Sequence, residues 1–166
     1  MQESMHAVTD LFTKTEPAGM GEPTVRQFAE MPGVLVVDDE HLLRNMVQRG
    51  LERDGFNVWT ASSGSEAIRL YRKHRDRIAV VLRDVRMPRL DGPQTLKALR
   101  KLNPAVRACF MSGDTGAYDA EELRQCGAAC IVAKPFILED LSNLLSQIAH
   151  GVPADLLLPV GRTRDQ

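Results

Sequence analysis

A chain of 166 residues has room for one domain with a full apolar core and not for two of ordinary size. Its formal net charge of -1 and pI near 6.4 give no electrostatic footprint for nucleic acid. No apolar run approaches a membrane span or a signal-peptide core, and the three cysteines, Cys109, Cys126 and Cys130, fit the reduced thiols of a cytoplasmic protein better than a disulfide framework or a zinc site.

Residues 1–32 mix Thr, Glu, Gly and Pro, and the stretch from Pro17 to Pro23 breaks any continuous helix, so they read as a flexible extension. Val34 to Val37 is a β-branched strand that runs into Asp38, Asp39 and Glu40. Leu42, Leu43, Met46, Val47 and Leu51 then recur at helical spacing until Asp54 and Gly55 stop the helix. Phe56 to Thr60 alternates as a second strand, and Ser63 with Glu66 three places on has the form of a capping box opening a helix through Tyr71. Lys73 to Arg77 reads as a solvated basic end.

The third strand, from Ile78 through the run at Val80, ends on Asp84 before Pro and Asp-Gly turn signals. Gly92 and Pro93 open a helix carrying Leu96, Leu99 and Leu102 inward, closed by Asn103 and Pro104. Val106 to Met111 is a fourth strand running into Ser112, Gly113 and Asp114. Asp119 to Cys126 is a weak helix anchored by Leu123. Cys130 to Ala133 is a fifth strand ending at Lys134 and Pro135, and Leu138, Leu141, Leu144, Leu145 and Ile148 mark a last helix. Five strands alternating with five helices make an α/β fold, a doubly wound parallel sheet covered on both faces. Residues 33–150 form that domain, and 151–166 read as a frayed C-terminal tail.

Polar residues therefore fall at the carboxyl ends of four strands: Asp38 with Asp39, Asp84, Ser112 and Lys134. In an open α/β sheet these ends gather at one edge, where ligands bind. Three carboxylates that close repel unless a cation offsets them, and hard oxygen donors are what Mg²⁺ prefers. A carboxylate beside such a cation is placed to act as a nucleophile and form an aspartyl phosphate, with Lys134 and the Ser112 hydroxyl on the phosphoryl oxygens. The plainer alternative, in which Lys134 only neutralises acids and Ser112 caps a helix, suits each residue alone better than it suits their joint placement.

The stretch from Gly33 to about His150 resembles the receiver domain of two-component response regulators. The resemblance rests on Val37-Asp38-Asp39-Glu40, Leu82-Arg83-Asp84-Val85-Arg86-Met87-Pro88 with Asp91-Gly92, Met111-Ser112-Gly113, Gly127-Ala128 and Lys134-Pro135-Phe136. It implies a flavodoxin-like sheet of order 2-1-3-4-5. By the same resemblance Asp84 matches the phosphoacceptor. Asp39 and Asp84 match direct Mg²⁺ ligands, Asp38 a ligand through water, and the Arg86 carbonyl a backbone ligand. Ser112 and Lys134 match the phosphoryl contacts, Ser112 and Ile131 the switch positions, and Gly113 a position that leaves room for the phosphoryl group. Arg86 and Asp114, two residues beyond Asp84 and Ser112, are expected to face each other across the site. A cis bond before Pro135 is also implied.

Three features depart from that pattern. Arg83 stands where the family has an apolar or small residue, so its charge must snorkel or pair. Ile131 replaces the switch aromatic. Beyond His150 no output domain is legible, which gives the expectation of a stand-alone receiver. The reading is a phosphorelay module that takes phosphate from a histidine kinase or phosphotransfer protein and signals by contact with a downstream protein, without nucleic acid or membrane. It would be no enzyme beyond self-catalysed phosphoryl transfer and dephosphorylation. The alternative is a receiver-like scaffold indifferent to phosphorylation. A phosphatase of the haloacid dehalogenase type would want an Asp-x-Asp motif, which neither acidic stretch supplies.

Overall fold

Alternation of β-branched and aliphatic residues, read along each strand, sorts the side chains onto two faces of one sheet. A computed structural model of the chain describes residues 31–88, 92–113 and 120–157. In chain order these form β1 (Gly33–Val37), α1 (His41–Arg53), β2 (Asn57–Ala61), α2 (Gly64–His74) and β3 (Ile78–Asp84). There follow α3 (Gly92–Leu102), β4 (Arg107–Ser112), α4 (Ala120–Gln125), β5 (Cys130–Ala133) and α5 (Leu138–Ala149), with a 3₁₀ turn over Ala154–Leu156. All pairings are parallel and the order is β2-β1-β3-β4-β5. The expected sheet is thus the observed one, with strand limits within a residue or two.

On one face Leu35, Val37, Val81, Ala108 and Phe110 meet Ala67 and Tyr71 of α2, Leu96 and Leu99 of α3 and Leu123 of α4. On the other, Val34, Val36, Val80, Leu82 and Met111 meet Val47 and Leu51 of α1 and Leu141, Leu144, Leu145 and Ile148 of α5. Burying such side chains on both faces contributes about 1.5–3 kcal/mol each, which is why the strands read as near-continuous apolar runs.

The helices show where pattern and packing diverge. The expected stripe of α1 is two stripes: Val47 and Leu51 are buried, while Leu42 and Met46 are 77% and 45% exposed. Residues four apart share a face, so the Leu42 and Met46 row lies one residue step, about 100°, from the Leu43, Val47 and Leu51 row, and the sheet receives only the second. At α2, Ser63 accepts the Glu66 N–H at 3.2 Å as a capping residue should. The Glu66 carboxylate accepts from the N–H and hydroxyl of Ser62 instead of closing the box on Ser63, and those bonds hold its carboxyl below the usual carboxylate range. The basic end of α2 is not wholly solvated, since His74 stacks on Trp59 at 5.3 Å and the Arg77 guanidinium lies 5.2 Å from the same ring.

Gly92 lets the first turn of α3 sit against the Phe110 ring, where a Cβ would lie 2.7 Å from Cε1. The α4 helix is short, as expected, with Leu123 as its buried anchor. The tail is not frayed where it is described: Leu157, at the end of the 3₁₀ turn, packs against the α1 and α5 face. The extension up to Glu30, the position of Asp91, the loop with Asp114 and Asp119, and the tail from Leu158 lie outside the described residues. Among the described residues no helix is long and apolar enough to cross a membrane.

Candidate functional site

Parallel strands end on the same edge, so the residues that close β1, β3, β4 and β5 are delivered to one place. Lys134, just after β5, donates from Nζ to Asp84 Oδ1 at 2.7 Å and to Asp38 Oδ2 at 3.1 Å. The other oxygens of these acids bond backbone: Asp84 Oδ2 accepts the Arg86 N–H at 2.8 Å, and Asp38 Oδ1 accepts the Glu40 N–H at 2.8 Å. Each carboxylate is therefore fixed at both oxygens. Asp84, Val85, Arg86, Ser112, Gly113 and Lys134 line a cavity of about 210 Å³. The peptide bond between Lys134 and Pro135 is cis, as the resemblance implied.

Ser112 is the last residue of β4, and its Oγ is buried without a hydrogen-bond partner among the described residues. A buried hydroxyl left unbonded is destabilising, and one lining a polar cavity asks for an acceptor. Among the described residues a methyl added at Gly113 would meet the Lys134 side chain alone, at 3.8 Å, an ordinary contact.

Electrostatics leave Asp84 under-compensated. Burial raises its pKa above the usual aspartate value, and Asp38 adds to the rise, while the bonds from Lys134 and Arg86 pull the other way and do not cancel it. Burial works to lower Lys134, but its bonds to Asp84 and Asp38 outweigh that and leave it above an ordinary lysine. The shared lysine thus secures its own charge more fully than that of Asp84.

Asp38, Asp84, Ser112 and Lys134 are brought together, and Asp39 is not. It is exposed on the loop, and among the described residues no three His, Cys, Asp or Glu side chains converge into a ready-made metal cluster. The donor chemistry nevertheless suits Mg²⁺. Asp38, Asp84 and the Arg86 carbonyl, with Asp39 next in the chain, are hard oxygen donors, and Lys134 alone does not offset the burial of Asp84. Arg86 is exposed, and Asp114, expected opposite it across the site, lies outside the described residues. Ile131, half-buried, pairs in register with Phe110 and packs against the α2, α3 and α4 face.

Arg44 was not singled out from sequence. It donates to the Asp38 main-chain oxygen at 2.6 Å, holding the acidic loop from α1. An arginine near the start of a helix that follows an acidic strand end is the signal that points to it. Arg83 neither snorkels nor reaches water: it is 0% exposed, and its Nε donates to the Asp84 main-chain oxygen at 3.2 Å. Cys109 and Cys130 are neighbours across β4 and β5, and burial, with the adjacent Cys130 thiol, pushes the Cys109 thiol well up, which makes it unreactive.

The family model for the response regulator receiver domain matches residues 34–146. The Mycobacterium tuberculosis transcriptional regulatory protein PrrA is 39% identical over 110 residues, covering 66% of this chain and 46% of that protein. The Brucella abortus sensor kinase CckA is 31% identical over 135 residues, covering 80% of this chain and 14% of that one. Among solved structures, the Vibrio cholerae chemotaxis protein CheY4 superposes with a TM-score of 0.66 at 32% identity, covering 71% of this chain and 98% of that one. This chain spans less than half the length of either curated relative.

Proposed function

Because the chain belongs to the response regulator receiver domain family, whose members serve two-component phosphorelays, we propose that Asp84 is its phosphoacceptor. One Asp84 carboxylate oxygen attacks phosphorus of a phosphohistidine or a small acyl phosphate. The bond from phosphorus to the donor nitrogen or oxygen breaks, and an aspartyl phosphate remains. Lys134 already bonds Asp84 and turns to the phosphoryl oxygens, and the Ser112 hydroxyl donates to them. Asp38, Asp39, Asp84 and the Arg86 carbonyl would hold Mg²⁺, which would supply the positive charge that a phosphoryl group needs on approaching three carboxylates. The single observation that carries this reading is the buried Ser112 hydroxyl, without a hydrogen-bond partner among the described residues, in the cavity that Asp84 and Lys134 also line.

The donor is a histidine kinase or histidine phosphotransfer protein in the cytoplasm, and the output is contact with a downstream protein. The chain acts on its own carboxylate and not on a separate substrate. Incubation with acetyl phosphate and Mg²⁺, followed by intact mass, should add one phosphoryl group that Asp84→Asn abolishes. An unmodified wild type would overturn the reading in favour of a scaffold whose partner ignores phosphorylation.

A further inference from the structure

Arg83 is among the largest side chains wholly removed from water, and it carries a charge it cannot shed. In register it lies between Val37 on β1 and Phe110 on β4, both fully buried, in a row completed by Ala61 and Ile131 on the same apolar face. A charge taken out of water is costly unless it is hydrogen-bonded, so burial alone does not explain an arginine here.

Its hydrogen bond does. Asp84 is the last residue of β3, and its carbonyl receives the Arg83 Nε at 3.2 Å. The next N–H, of Val85, donates to the Met111 carbonyl at 3.0 Å, and the N–H after that, of Arg86, donates to Asp84 Oδ2. These three bonds fix the peptides from which the Asp84 carboxylate and the Arg86 carbonyl project. The guanidinium also makes interactions beyond that carbonyl.

We propose that Arg83 is a positioning residue for the phosphoacceptor, holding from within the core the backbone that aims Asp84 and Arg86 into the cavity. The proposal rests on Asp84 being the phosphoacceptor. Removing Arg83 should slow the site, and restoring a donor and a charge at that position should return most of the rate.

The test compares the full-length wild type, Arg83→Met and Arg83→Lys by melting temperature and by initial rate of phosphorylation from acetyl phosphate with Mg²⁺, read as intact mass. Arg83→Met, assayed well below its melting transition, should react about tenfold slower or worse, because a small misplacement of a reacting group is costly. Arg83→Lys keeps a donor and a charge on a stem of similar reach, and should recover to within about threefold of the wild type. A Met variant within about twofold of the wild-type rate overturns the proposal, as do Met and Lys variants that are equally slow and both melt lower, which is the mark of a core defect. A wild type that takes no phosphoryl group overturns the phosphoacceptor reading and this one with it. A reactive wild type matched by its Met variant removes only the role of Arg83.

Discussion

Lys134 stands between two carboxylates, so Lys134→Gln removes the charge while keeping a polar side chain of comparable reach. The contacts of 3.1 Å to Asp38 and 2.7 Å to Asp84, laid end to end, bound the separation of the two carboxylate oxygens at roughly 5.8 Å. Two unit charges at that distance repel by about 3 kcal/mol at an effective dielectric of about 20. Side-chain exposures of 2% for Asp38 and 12% for Asp84 leave little solvent to screen them. Removing one partner of a buried ion pair is destabilising by about 3–5 kcal/mol, and the partial exposure of Lys134 points to the lower end. Urea unfolding at pH 7 without divalent cation should therefore show Lys134→Gln about 3 kcal/mol less stable than wild type. The pH dependence follows from Asp84, whose pKa burial has already raised and which loses in this variant the lysine that opposed the rise. A group with a raised folded-state pKa contributes stability at low pH and loses it as pH rises through that pKa, so acidification should restore the variant and narrow the gap. Lys134 is itself raised, so in the wild type its contribution holds through neutral pH and fades only above the ordinary lysine range. A loss below about 1 kcal/mol at pH 7, or a gap that stays constant into acid, would refute the electrostatic reasoning.

Asp39→Ala should weaken Mg²⁺ binding at least about tenfold by calorimetry, since it removes one of three carboxylates offered to the ion; equal affinities would strike Asp39 from the ligand set. Ser63→Ala should lower unfolding free energy by about 1 kcal/mol, because the Glu66 N–H loses its acceptor at the start of α2; an unchanged urea midpoint would mean that water replaces the cap fully. A beryllofluoride adduct should shift amide resonances mainly near Asp84, Ser112 and Lys134, because Ile131 is β-branched and has no ring to swing; large shifts through Glu121 to Ile131 and Leu141 to Ile148 would contradict this.

The strands and their parallel sense were legible because each strand is a short apolar run bounded by turn residues and alternates with a helix, whereas the strand order came from the family resemblance. The site was legible for the same reason: once Val37, Asp84, Ser112 and Ala133 close their strands, the residues at those ends must meet. What sequence left open depends on rotation and reach. Periodicity does not say which of two adjacent rows of α1 faces the sheet, so Leu42 and Met46 looked like core. The Glu66 carboxylate had two backbone N–H groups within range and took the farther, at Ser62. Arg83 was expected to snorkel or pair, and which of the two was open because the carbonyl at the end of its own strand is not visible as a partner in a string of letters. Arg44 was missed because its target is a main-chain oxygen and not an acidic side chain.

The cations around the site are placed in an order that bears on why it stays reactive. Arg83 and Arg44 direct hydrogen bonds to the main-chain oxygens of Asp84 and Asp38, which fixes the backbone and leaves the carboxylates to other partners. Lys134 reaches a carboxylate oxygen of each acid, and burial still keeps the Asp84 pKa raised. Had either arginine formed a bidentate pair with Asp84, the nucleophile would have been stabilised and blocked at both oxygens. One Asp84 oxygen instead faces a lysine that can swing on a flexible stem, and the other accepts a backbone N–H. Ser112 leaves a donor unused in the same cavity. A phosphoryl group arriving with a divalent cation would supply the acceptor that Ser112 does not find among the described residues and add to the counter-charge that Lys134 alone gives Asp84, so both demands are answered together.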